Sequence, residues 1–146
     1  MSGWLFVHVF ALGTWLGCVI IEGILETAGH HDEALRATVA RIHFRIDLLA
    51  EIPAFTLVAV SGIAMLDPER MHGDYALMVV AGSVAIAVNA LCVLPVARRR
   101  QLANRTGTAM AGQELQAHTR RIYLAGVVGL PFAAAALYGG LRLMAR

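Results

Sequence analysis

Two consecutive stretches of this chain carry acids and histidines at four-residue steps. Glu22, Glu26 and His30 lie along the first, and His43, Asp47 and Glu51 along the second. On an α-helix, residues four apart share a face, so each set forms a stripe of carboxylate and imidazole ligands. In antiparallel neighbours, residues at equal depth have position numbers of constant sum. That rule predicts Glu22 opposite Glu51, Glu26 opposite Asp47 and His30 opposite His43. Facing carboxylates and imidazoles are the ligand set of di-iron and di-manganese bundles. Hard oxygen ligands with His suit iron, manganese or zinc better than Cu(I). The Glu-x-x-His spacing usual in such bundles is absent. The plainer expectation is that these acids pair with Arg41, Arg45, Arg120 or Arg121, or reach into water at the helix ends.

Other residues carry weaker signals of the same kind. His118 lies just before the last apolar segment, on the same side as His43, and imidazoles from two helices can hold a haem iron. His8 is a separate ligand candidate; Trp15 and Glu22 follow it at seven-residue steps on one face. The cofactor expected is thus iron, as a non-haem di-metal centre or as haem b. Met65, Met71, His72 and Met78 cluster near a polar hairpin, and thioether with imidazole suits copper. Asn89 is expected to be an interhelical hydrogen-bond partner. Cys18 and Cys92 are too few for a disulfide framework and read as packing residues.

The elements that must position these groups follow from composition. Of 146 residues, 58% are hydrophobic and 15% charged, with a mean hydropathy of +0.66. Soluble domains hold about 25% charged residues, so a soluble domain, a disordered chain and a nucleic-acid-binding arm are excluded. Residues 3–25, 48–66, 75–97 and 122–141 are long and apolar enough to cross a bilayer, which takes roughly 20 residues; the second helix is expected over 33–66, its first part projecting into the cytoplasm. The fold expected is all-α: one domain over residues 1–146, an integral membrane bundle of four transmembrane helices. The first segment lacks a basic start and is long for a signal peptide, so it reads as a retained helix. Gly29 is expected to close it, and Asp32 followed by Glu33 to open the next helix. Gly13 and Gly17, and Gly126, Gly129 and Ala133, suggest close helix contacts and a homo-oligomer.

Arginine placement gives an orientation. All twelve basic residues are Arg. Arg36, Arg41, Arg45, Arg98, Arg99, Arg100, Arg105, Arg120 and Arg121 fall in two long connections, against Arg70, Arg142 and Arg146 elsewhere. The positive-inside rule then puts both connections in the cytoplasm and both termini outside, as in a bacterial inner membrane.

His8-x6-Trp15-x-Gly17 resembles the opening helix of the HemJ-type protoporphyrinogen oxidase and CopD-type group of small membrane proteins. The similarity continues through Arg41, through Pro53 at the start of an apolar run ending in Ser61-Gly62, and through Ala97-Arg98-Arg99-Arg100. It covers roughly residues 4–105 and implies a four-helix membrane core with His8 as a haem or metal ligand. HemJ-type proteins carry a Lys in helix three; this chain has none, and Asn89 is the nearest polar residue. The resemblance therefore implies the scaffold rather than porphyrinogen oxidation.

The resulting expectation is a membrane redox protein with a haem or non-haem metal centre near the cytoplasmic face. Its metal ligands would be Glu22, Glu26, His43, Asp47 and Glu51, with His8 and His118 as cofactor ligands. Quinone or another membrane redox protein would be its electron partner. Alternatives are a metal-ion or proton transporter using the same acids, or a non-catalytic subunit of a larger membrane complex. Transport is the poorer fit, because His8 is the one ionisable group in the outer half of the helices.

Overall fold

The computed structural model describes residues 3–104 and 109–145; Arg105 and Arg146, counted above for orientation, lie outside them. It consists of α1 (Gly3–His31), α2 (Glu33–Ile46), a wide π turn (Asp47–Glu51), α3 (Ile52–Ala64), α4 (Gly73–Ala103) and α5 (Ala109–Met144), with a short 3₁₀ turn at Pro68–Arg70. The π turn joins α2 and α3 into one span. The described residues thus hold four helices long and apolar enough to cross a membrane. Phe6, Phe10, Ile24, Leu49, Ile63 and Leu91 are exposed on their outer faces, as side chains in contact with lipid would be.

Two expectations about the connections are corrected. Gly29 does not end the first helix, which continues through His30 to His31. Instead the glycine admits a neighbour: a Cβ there would stand 3.2 Å from Val39 Cγ2 on α2. Asp32 alone separates the two helices, and its carboxylate accepts the Ala34 N–H at 2.8 Å as an N-cap. The second correction concerns the Arg-rich connection between residues 97 and 122, most of which is helical among the described residues. α4 runs on to Ala103 and α5 begins at Ala109, because Ala, Leu, Gln and Arg are strong helix formers. Hydropathy marks only the apolar part of each helix, and the polar ends of α4 and α5 fall outside the apolar segments 75–97 and 122–141.

The π turn has a local cause. Pro53 has no N–H, and its ring crowds the carbonyl four residues earlier. The Ile52 N–H reaches back five residues to the Asp47 carbonyl, which widens the helix just before the proline. In an α-helix, each four-residue step drifts by about 40°. The wider turn reverses that drift, and both Asp47 and Glu51 stay buried against α1.

Ala11 and Trp15 of α1, Ala54, Phe55 and Val58 of α3, and Ala85 of α4 form the apolar core. α5 packs on α4. Gly139 marks their closest approach: a Cβ there would meet Asp74 O at 2.8 Å and Met78 N at 3.1 Å. Gly139→Ala should therefore cost about 1–3 kcal/mol by overpacking, read as a lower melting temperature in detergent. Gly126→Ala, with nothing within 4 Å, should cost nothing comparable; equal melting of the two variants would refute the close approach. Gly129 also packs, 3.4 Å from Val88 Cγ1. Gly13, Gly17 and Gly126, expected to mark close contacts, meet nothing within 4 Å. Met78 Sδ lies 3.4 Å from where a Gly140 Cβ would be, and Met71 is exposed, so both serve ordinary packing and surface roles.

Candidate metal centre

Among the described residues, the charged or imidazole side chains of Glu22, His43, Asp47, Glu51 and Arg99 are buried at the Arg-rich end of the bundle. Their arrangement follows from the register of α1 against α2. The two helices are antiparallel as expected, but slid by one turn from the predicted pairing. His43 meets Glu26 rather than His30, and Asp47 meets Glu22 rather than Glu26. His8 meets Ser61 in that same register, Nδ1 to Oγ at 2.9 Å. His30 is helical, as its four-residue step requires, but exposed, with its ring edge-on to His31.

His43 is the hub. Its Nδ1 lies 2.6 Å from Glu26 Oε1. An ionised carboxylate only accepts, so Nδ1 carries the proton and donates it. Nε2 lies 3.5 Å from Glu22 Oε2 and 3.4 Å from Asp47 Oδ1; in the neutral imidazole it carries a lone pair there. Glu22 Oε1 and Asp47 Oδ1 are buried and make no hydrogen bond. Three buried ligand groups thus present atoms that all lie within 4.8 Å of one another. A metal at about 2.0–2.2 Å from each of its ligands spaces them about 3–3.5 Å apart, close to the separations from Nε2.

Arg99 holds this arrangement from α4. Nη1 donates to Glu26 Oε2 at 2.6 Å, and Nη2 donates to Glu26 Oε1 in a bidentate pair. Nη2 also lies 3.1 Å from His43 Nδ1, and Nη1 donates to Thr119 Oγ1 of α5 at 3.3 Å. A carboxylate that orients the far nitrogen of an imidazole is the usual outer support of a metal-bound His. Arg41, Arg45, Arg120 and Arg121, the expected partners of the acids, are all exposed. Arg99 instead pairs with one of the acids, Glu26, from within a run of three arginines that masks it in the sequence. Its signal was the helical face through Ala81, Ala85, Val96, Arg99 and Ala103, all buried.

Glu51 lies one turn beyond Asp47, away from His43. Its Oε1 accepts the Trp15 indole N–H at 3.2 Å, and Asn89 stands beside it from α4. The Asn89 Nδ2 is buried and closes no hydrogen bond. The predicted face of His8, Trp15 and Glu22 is thus realised: all three turn toward the second span. His8 does not join the cluster, lying about 21 Å along α1 from Glu22. Nor does His118 pair with His43, whose ring nitrogens face Glu22, Glu26, Asp47 and Arg99.

Charge counting shows what the cluster lacks. With all four acids ionised, the site holds Glu22, Glu26, Asp47 and Glu51 against Arg99. The Glu26–Arg99 pair is neutral, which leaves Glu22, Asp47 and Glu51 as three buried carboxylates without a guanidinium, the first two beside His43 Nε2. Buried charges need a partner, and a divalent cation between these two would supply it.

Beside the cluster, a cavity of about 1050 Å³ opens between α1 and α5. It exists because α1 packs on α2 and α3 while α5 packs on α4. Glu22, His43, Asp47 and Glu51 line its polar side; Leu16, Val19, Val88, Val93, Leu130 and Ala133 line its apolar walls. No family model matches the chain, and comparison with curated proteins and with solved structures gives no match either.

Proposed function

We propose that this is a membrane-embedded metal-binding protein with a redox role, holding one iron ion between Glu22, His43 and Asp47. The observation that carries the reading is the convergence of His43 Nε2 with two buried carboxylates while Nδ1 is tied to Glu26. Two carboxylates neutralise a divalent ion, and the imidazole adds one nitrogen. A set of one nitrogen and two hard oxygens suits iron, manganese or zinc; of these, iron supplies redox chemistry. Three protein ligands leave positions open for a substrate or a small oxidant. Glu26 and Arg99 orient His43, and His8 and His118 are outside the site in this reading. With the Arg-rich end cytoplasmic by the positive-inside rule, the metal lies near the inner face of a bacterial inner membrane.

The test is metal analysis and an absorption spectrum of the detergent-purified protein. Iron in a stoichiometric amount without a Soret band is the expected result. A Soret band would overturn the non-haem site, and protein free of metal after expression in iron-supplemented medium would overturn metal binding.

A further inference from the structure

We infer that the cavity between α1 and α5 binds a membrane-dissolved quinol, a flat apolar ring bearing a phenolic hydroxyl. This names the partner class of the metal centre and so rests on the redox reading above. The first ground is access. Both flanking helices are long and apolar enough to span a membrane, so the gap between their apolar stretches is open to a molecule dissolved in lipid, while Thr27, His30, Gln116 and Arg120 line its polar end. Its volume of about 1050 Å³ is slightly above the usual range of small-molecule sites, about 300–1,000 Å³.

The second ground is hydrogen bonding. In one layer of the cavity, the Glu51 carboxylate and the Asn89 amide stand side by side, and Asn89 Nδ2 has no hydrogen-bond partner within 3.5 Å. A hydroxyl is the small group that both donates and accepts, and it satisfies the two together. Deeper in, Glu22 Oε1 also lacks a hydrogen bond, on a side chain only 8% exposed. The polar side of the cavity is therefore built for a donor.

The third ground is shape. Gly126 of α5 lines the cavity, and nothing lies within 4 Å of a Cβ there. The open space at this glycine leaves room for a ring beside the apolar side chains of the cavity. The ring would lie one helical turn from Asp47, next to the proposed metal.

The experiment measures retention of decylbenzoquinol by the protein in lipid nanodiscs, kept anaerobic, against empty nanodiscs. The wild type should retain it saturably above lipid partitioning, and the dimethyl ether of the same molecule should not be retained. Asn89→Leu should weaken binding by about tenfold, the loss of one hydrogen bond. Gly126→Phe, which fills open space, should weaken it at least as much without changing metal content. Retention no greater than in empty nanodiscs, or a Gly126→Phe protein that binds like the wild type, overturns the proposal. Metal analysis of the same samples keeps the two readings apart. Saturable retention by metal-free protein would leave the cavity standing and remove the iron; bound iron without retention would do the reverse.

Discussion

Arg99→Met should destabilise the folded protein by about 3–5 kcal/mol, the cost of removing one partner from a buried ion pair. Arg99 is 2% exposed and makes both guanidinium contacts to Glu26. Without it, Glu26 keeps only His43, which lies at 2.6 Å. The imidazole can then offset the carboxylate only by taking a second proton, at Nε2. That proton would occupy the lone pair aimed at Glu22 and Asp47, so the variant should lose metal as well as stability. Adding Glu26→Gln removes the stranded charge. The double variant should recover much of the stability, but not the full metal affinity, because the orienting carboxylate is gone. Thermal unfolding in detergent and metal titration read the two effects separately. An Arg99→Met protein that melts with the wild type, or a double variant no more stable than the single one, would sink this account.

The second large effect concerns the ligands. Glu22→Gln together with Asp47→Asn should abolish metal loading while leaving the apoprotein at least as stable as the wild type. Four-ligand structural zinc sites bind with about 10–16 kcal/mol, so one ligand contributes on the order of 3 kcal/mol, a factor of roughly a hundred. Two ligands together amount to roughly ten-thousandfold. The stability prediction has the opposite sign to that for Arg99, since the substitutions remove two buried charges that face each other. Co²⁺ titration, with melting measured in chelator, distinguishes a ligand pair from a structural ion-pair network. Full metal affinity in the double variant would rule out Glu22 and Asp47 as ligands.

The acids, His43 and the four apolar segments were legible in the sequence, because buried charge in an apolar run is conspicuous. Their register was not. Opposing residues by ligand type paired His30 with His43, but a one-residue connection at Asp32 sets the pairing from the turn outward. The helices consequently slide until His43 meets Glu26. Arg99 was hidden for a different reason. It sits between Arg98 and Arg100, both exposed, and a run of three arginines looks like a solvated helix end. Extending the buried face beyond Val96 would have singled it out. The cavity could not be foreseen from any one helix, since it arises from which pairs of helices pack. The π turn left one trace, Pro53, which the sequence reading used only as the beginning of an apolar run.

That turn also has a consequence for how the second span is phased. Each residue of an α-helix advances the chain by about 100°, so His43, three turns from Ala54, would fix the direction of everything after it. The wide segment at Asp47–Glu51 breaks that link. It acts as a rotational offset, with Leu49 fully turned outward at 75% exposure. On one side, His43 and Asp47 are aimed at a polar cluster; on the other, Phe55, Val58 and Ser61 are aimed at the apolar core and His8. One continuous span therefore carries two independently aimed faces, and substitutions in its packing half need not swing the ligands in the other.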